Sequence, residues 1–214
     1  MHASTEHGSL HYDVVDQVAP WREARAPILF HHGIGACAAM WAGWVPALGD
    51  AHRLVTFDMR GCGQSHIPGP DFAWSLDLLV DDLFAVADAA GLQRFHLVGE
   101  SIGGTVALAA AIARPDRVVT LTVSNGAHLG ASIRSVEAWQ SQLDQGGVKA
   151  WSDAFLPGRF HDGALSPERL AWFAMQQERW PRESILNALE VLVGTDLSSR
   201  LKHIGCPTLL LHPD

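Results

Sequence analysis

Short apolar runs bounded by glycine, proline or charge recur along the chain, with stretches of helical period between them. Pro27-Ile28-Leu29-Phe30-His31, Arg53-Leu54-Val55-Thr56-Phe57, Phe95-His96-Leu97-Val98, Val118-Val119-Thr120-Leu121-Thr122-Val123 and Pro207-Thr208-Leu209-Leu210-Leu211-His212 are rich in leucine and β-branched residues. Strands buried on both faces read this way. Leu10 to Val15 instead alternates at period two, which predicts an antiparallel edge strand. From Ser75 to Ala90, Leu76, Leu79, Leu83, Val86 and Ala90 fall on one helical face, with Gly91 as a stop. Ile102 to Ala113 is alanine-rich and ends at Arg114-Pro115, where proline halts a helix. Strands alternating with helices predict an α/β fold, a mostly parallel doubly wound sheet covered on both faces.

The rhythm breaks from about residue 126 to residue 201. No strand pattern occurs there, several segments are amphipathic helices, and Trp139, Trp151, Phe155, Phe160, Trp172, Phe173 and Trp180 are concentrated in it. A helical insertion between two sheet strands reads as a lid over a pocket. The expected organisation is a core over 1–125, a lid over 126–201 and a core strand resuming at 202–214. The tryptophans are expected to form the lid's own core more than a pocket wall, because aromatics supply most buried area in a small helical unit. Arg134, Lys149, Arg159, Arg169 and Arg179 read mostly as solvated charges, with a carboxylate-bearing substrate as the functional alternative.

With 214 residues and 48% hydrophobic content, the chain can bury a full core. A net charge of −8 and the lack of any Lys/Arg run exclude nucleic acid and anionic membrane surfaces as expected partners. Cys37, Cys62 and Cys206 are odd in number and lack CxxC spacing, so neither a disulfide framework nor a zinc site is expected. The polar N-terminus and the shortness of the apolar run Thr105–Ala113 complete the expectation of a cytoplasmic protein.

The candidate chemistry begins at Gly99-Glu100-Ser101-Ile102-Gly103. Alone, a G-x-S-x-G pentapeptide is a weak signal. Here a strand runs directly in and a helix directly out, the strand–turn–helix that projects a strained serine hydroxyl above a sheet. Gly99 and Gly103 are read as required by the tightness of that turn. A serine N-cap is also a fair reading of Ser101, but it leaves both glycines unexplained. His31-His32-Gly33-Ile34-Gly35 follows an earlier strand. Acyl transfer needs N–H donors aimed at a developing oxyanion, one after the nucleophile and one from such a loop. Those positions are Ile102 and Ile34, with Gly33 and Gly35 letting the main chain approach closely. Asp58 and Arg60, in Asp58-Met59-Arg60-Gly61-Cys62-Gly63-Gln64-Ser65, read as a structural turn rather than as catalytic groups.

In this order and at these intervals, the three motifs resemble the α/β-hydrolase superfamily. Within it the chain looks most like the β-ketoadipate enol-lactonase and carboxylesterase type, on Arg60-Gly61-Cys62-Gly63-Gln64-Ser65, Pro68-Gly69-Pro70, Asn125-Gly126-Ala127 and Glu137-Ala138-Trp139-Gln140. The resemblance implies a serine hydrolase that cleaves a small ester or lactone through an acyl-enzyme, with no cofactor and no metal. The alternatives are a non-catalytic ligand-binding homologue and a cofactor-free perhydrolase. A homo-oligomer is compatible with either. The family order of nucleophile, acid and histidine places the acid about two residues past Asp214, so Asp214 is a weak candidate for it. It places the histidine further on, and the expectation is a chain lacking the last strand and helix. Among histidines within the chain, His128, just past a strand end, is the least implausible stand-in.

Overall fold

The computed structural model describes residues 1–23, 25–133 and 136–212. Its strands are β1 (His2–Thr5), β2 (Gly8–Val15), β3 (Ile28–His31), β4 (Leu54–Phe57), β5 (Phe95–Glu100), β6 (Val118–Ser124) and β7 (Thr208–Leu211). They form one sheet in the order β1-β2-β4-β3-β5-β6-β7. The β4-β3-β5-β6-β7 portion is parallel, whereas β1 and β2 run antiparallel. β2 is antiparallel as expected but is not an edge strand. β1 covers its outer side, Ala3 facing Leu10 in register. His2-Ala3-Ser4-Thr5 is polar enough to hide that strand, since only Ala3 in it is buried.

The helices are α1 (Val45–Leu48), α2 (Leu76–Ala89), α3 (Ile102–Ala113), α4 (Val136–Phe155), α5 (Pro167–Glu178) and α6 (Arg182–Val193). Ser75 caps α2, its hydroxyl oxygen accepting from the Leu78 N–H at 3.1 Å. Alternate residues of each buried strand face opposite ways. Leu29, Val55, Leu97 and Leu121 join Leu79, Leu83, Val106 and Ala110 of α2 and α3 in the main core. Ile28, Phe30 and Leu54 form a smaller cluster with Trp41, from the 3-10 turn Ala38–Trp44 that leads into α1. On β7, Leu209, Leu210 and Leu211 are exposed.

Between β6 and β7 lie α4, α5 and α6 and short 3-10 turns. Gly147, at φ 69°, kinks α4. Among the described residues, no helix is long and apolar enough to cross a membrane.

Candidate active site

Ser101 occupies the junction of β5 and α3 with φ 55° and ψ −123°. That is a region where a side chain with a β-carbon is strained. The strain is held by the surroundings. The Ser101 N–H donates to the Ser124 carbonyl at 2.9 Å, and the Ser101 carbonyl accepts from Gly104 N–H at 2.9 Å as α3 begins. A β-carbon at Gly99 would collide with the Gly103 carbonyl, and one at Gly103 with the His31 carbonyl. The turn therefore closes only with glycine at both places. Gly104 and Gly126 meet where α3 crosses β6: a β-carbon on Gly104 would lie 2.9 Å from Val123 Cγ1 and 3.0 Å from Gly126 Cα. Ile102, the residue after Ser101, is fully buried at the first turn of α3.

The loop after β3 passes over this turn. A β-carbon on Gly33 would sit 2.8 Å from Ser101 Cβ and would strike the Glu100 carboxylate. Gly35 takes φ 77°, a left-handed conformation that glycine adopts freely. Ile34, between them, is buried. Below the loop, His32 Nε2 accepts the Met59 N–H at 2.9 Å, which leaves Nδ1 as the donor to the Gly33 carbonyl, also at 2.9 Å. Asp58 accepts from Ala38 N–H at 2.9 Å and from Gln64 N–H at 3.0 Å, the structural turn expected of it. Arg60 turns away from Asp58 to Asp82, Nε to Oδ2 at 2.8 Å, inside the core.

From above, the helical insertion holds the same loop. Arg159 Nη2 donates to the Ile34 carbonyl at 2.8 Å, and Trp180 Nε1 donates to the Ala36 carbonyl at 2.8 Å. Arg159 was expected to be a solvated charge. It is instead half-buried against the insertion, its Cζ 5.7 Å from the Trp151 ring centre, and Glu100 favours its charged form. Lys149 does behave as a surface cation, paired with Asp153 at 2.9 Å. Arg134 lies outside the described residues.

Burial sets the charge states. It pushes the Glu100 carboxyl above its ordinary range, against the opposing pull of Arg159 and the Gly33 N–H. It pushes His31 down to about 3, helped by neighbouring His32, and lowers His32 as well. Both histidines are therefore neutral at neutral pH. Burial also raises the Cys37 and Cys62 thiols, so neither supplies a ready thiolate.

Ser101 opens onto a cavity of about 510 Å³. Ile133, Trp139, Leu189 and Leu192 of the insertion wall it, together with His128 and His212. Trp139 thus serves the pocket. Trp151 and Trp180 are buried, and Trp172 meets Phe173 edge-on at 4.9 Å. Asp214 lies outside the described residues. The structure brings together Ser101, Ile102, Gly33, Ile34 and Gly35, and adds Glu100, which the sequence reading passed over, and Arg159, which it read mostly as a solvated charge. Glu100 sat in view within the pentapeptide; nothing local marked Arg159, which lies 125 residues from the carbonyl it binds.

A strained serine between a parallel strand and a helix, under a glycine loop from the neighbouring strand, is the architecture of α/β hydrolases. The chain matches the alpha/beta hydrolase fold family over residues 26–198 and belongs to it. A 32% identical relative, over 90% of this chain and 74% of its own length, is RutD of Klebsiella pneumoniae, by name a carbamate hydrolase. The 3-oxoadipate enol-lactonase 1 of Acinetobacter baylyi is 30% identical over 86% of this chain and 69% of its own length. Among solved structures, the enol-lactonase from Burkholderia xenovorans superposes with a TM-score of 0.84 at 27% identity, over 98% of this chain and 80% of that one. These relatives support a hydrolytic function and agree with the resemblance read from the motifs.

Proposed function

We propose that the chain carries the nucleophile and oxyanion site of a serine hydrolase acting on a small carboxylic ester or lactone. The observation that carries this reading is Ser101 at φ 55° beneath the Gly33–Gly35 loop and open to the cavity. A strained side chain that caps nothing, with no side-chain cap hydrogen bond to α3, is kept for chemistry.

In the proposed reaction a histidine base takes the hydroxyl proton as Ser101 Oγ adds to the substrate carbonyl carbon. The carbonyl π electrons move to oxygen, and the Ile34 and Ile102 N–H groups receive the oxyanion. Collapse expels the alcohol, which takes the proton, and leaves an acyl-enzyme. Water then repeats the sequence and releases the acid. For a lactone the alcohol and the acid remain one molecule. The apolar wall of Ile133, Trp139, Leu189 and Leu192 suits a short uncharged acyl portion.

The test is labelling with a fluorophosphonate together with turnover of p-nitrophenyl acetate, a lactone and a carbamate. The reading predicts one label, on Ser101, and faster turnover of the ester and lactone than of the carbamate. Ser101→Ala removes both label and turnover, a loss of about 10³-fold or more. Undiminished turnover by Ser101→Ala would sink the proposal. Ligand binding without label or turnover would move the chain to a non-catalytic binding role, and peroxide-dependent halide oxidation would make it a perhydrolase.

A further inference from the structure

Three of the four carbonyls of the Gly33–Ala36 loop have a hydrogen-bond partner among the described residues. His32 Nδ1 at 2.9 Å and the Ala36 N–H at 3.2 Å hold the Gly33 carbonyl. Arg159 holds that of Ile34 and Trp180 that of Ala36. In a trans peptide the C=O and the following N–H point in opposite directions. Fixing the Gly33 carbonyl toward His32 therefore aims the Ile34 N–H the other way. Fixing the Ile34 carbonyl sets the next peptide plane, beside a glycine at φ 77° whose backbone would otherwise turn freely. The Arg159 head is itself located by three groups. Its Nη2 would lie 3.3 Å from a β-carbon on Gly35, its Cζ lies 5.7 Å from the Trp151 ring centre, and the Glu100 carboxyl acts on it electrostatically. The Glu100 carboxylate lies within reach of Gly33 and immediately precedes Ser101.

We propose that Arg159 is a positioning residue: it ties the helical insertion to the Ile34 carbonyl and so fixes the Ile34 peptide that faces Ser101. This inference rests on the serine-hydrolase reading and adds to it a part for the insertion. The insertion supplies a strut to the oxyanion loop as well as a pocket wall. Among the described residues Arg159 is not part of the cavity lining, and its bond to Ile34 carries its effect through the loop.

The experiment compares wild type, Arg159→Met and Arg159→Lys on a neutral ester, p-nitrophenyl acetate, and on an ester carrying a free carboxylate. A melt and circular dichroism establish folding. The expected result for Arg159→Met is a kcat lowered about 10- to 100-fold on both esters with KM within about twofold, below the loss for a deleted oxyanion donor. Arg159→Lys, which keeps a donor and a charge over Trp151, recovers part of that loss on both. A KM rise confined to the carboxylate ester would overturn the proposal in favour of substrate binding by Arg159. An unchanged kcat on both esters would overturn it outright. If Arg159→Met loses its cooperative melt, Arg159→Lys decides: a kcat lowered threefold or more on both esters supports the strut, and an unchanged kcat overturns it. A Ser101→Ala protein that still turns over either ester would instead defeat the underlying serine reading, whatever the Arg159 variants do.

Discussion

A serine at φ 55° costs on the order of 1–3 kcal/mol in backbone strain, and its neighbours have to hold it there. The glycines do so by letting backbone touch backbone. At Gly103 a β-carbon would collide with the His31 carbonyl and lie 2.7 Å from both His31 Nδ1 and the His32 carbonyl. Backbone atoms cannot swing aside as the end of a long side chain can. Gly103→Ala is therefore expected to cost about 1–3 kcal/mol or more. At about 2–4 °C per kcal/mol for a chain of this size, Tm falls by several degrees. Gly158→Ala is the control, because nothing lies within 4 Å of its added carbon. Equal melting of the two variants would show that the turn is looser than this contact set requires.

At the scale of elements, the helical insertion does not form a separate core as expected: Leu143, Trp151, Trp180, Ile185 and Leu189 belong to the same buried cluster as Leu29 and Leu97 of the sheet. Trp151 is fully buried, 5.1 Å from the Trp139 ring centre and 6.5 Å from that of Phe155. Beside it, Gln177 Nε2 donates to Ser152 Oγ at 3.1 Å and joins α5 to α4. Trp151→Ala is expected to destabilise by about 3–5 kcal/mol. Turnover should fall as well, since Trp151 supports Arg159 and its Cη2 would lie 2.8 Å from a β-carbon on Gly35. Parallel urea and turnover curves for this variant, set against a conservative Trp151→Phe, check both effects. A loss of stability with wild-type kcat would separate the insertion from the site. These elements also show what a sequence can disclose. β3, β4, β5 and β6 were legible because burial demands apolar runs, and β7 was legible by the same run although Leu209, Leu210 and Leu211 are exposed rather than buried on both faces. β1 was not, for it needs one buried alanine. Nor was α1, since four residues hold about one turn and no period. Ser101 and its glycines were legible because chemistry and backbone constraint coincide within five residues. Arg159 was not, because its partner is a carbonyl on a distant loop.

For the molecule as a whole, burial of the His31–His32 pair couples folding to protons. Burial lowers His31 from its ordinary 6.5 to about 3, and His32 is lowered too. Below pH 6.5 the unfolded chain takes up protons at these rings that the native chain refuses. The unfolded state then binds more protons, so native stability rises with pH between about 3 and 6.5 and is lost as pH falls through that window. Glu100 works in the opposite sense. Its raised value means the native chain keeps a proton the unfolded chain has released, so it takes stability away as pH rises above 4.5. Below about 4.5 Glu100 is protonated in both states, so the histidine effect stands unopposed there, and above it Glu100 offsets part of that effect. His31→Phe isolates it. The His31 ring already packs edge-on against Phe57 at 4.8 Å, and Nε2 has no hydrogen-bond partner among the described residues, so a phenyl ring removes the titration together with the Nδ1 hydrogen bond to the His32 carbonyl at 2.9 Å, a loss common to every pH. Urea unfolding at a series of pH values should show a wild-type slope steeper by up to about 1.4 kcal/mol per pH unit than that of His31→Phe between pH 4 and 6. Coincident slopes would mean that the His31 proton balance is the same in both states, and that the loop beneath the candidate oxyanion site opens to water before the core does.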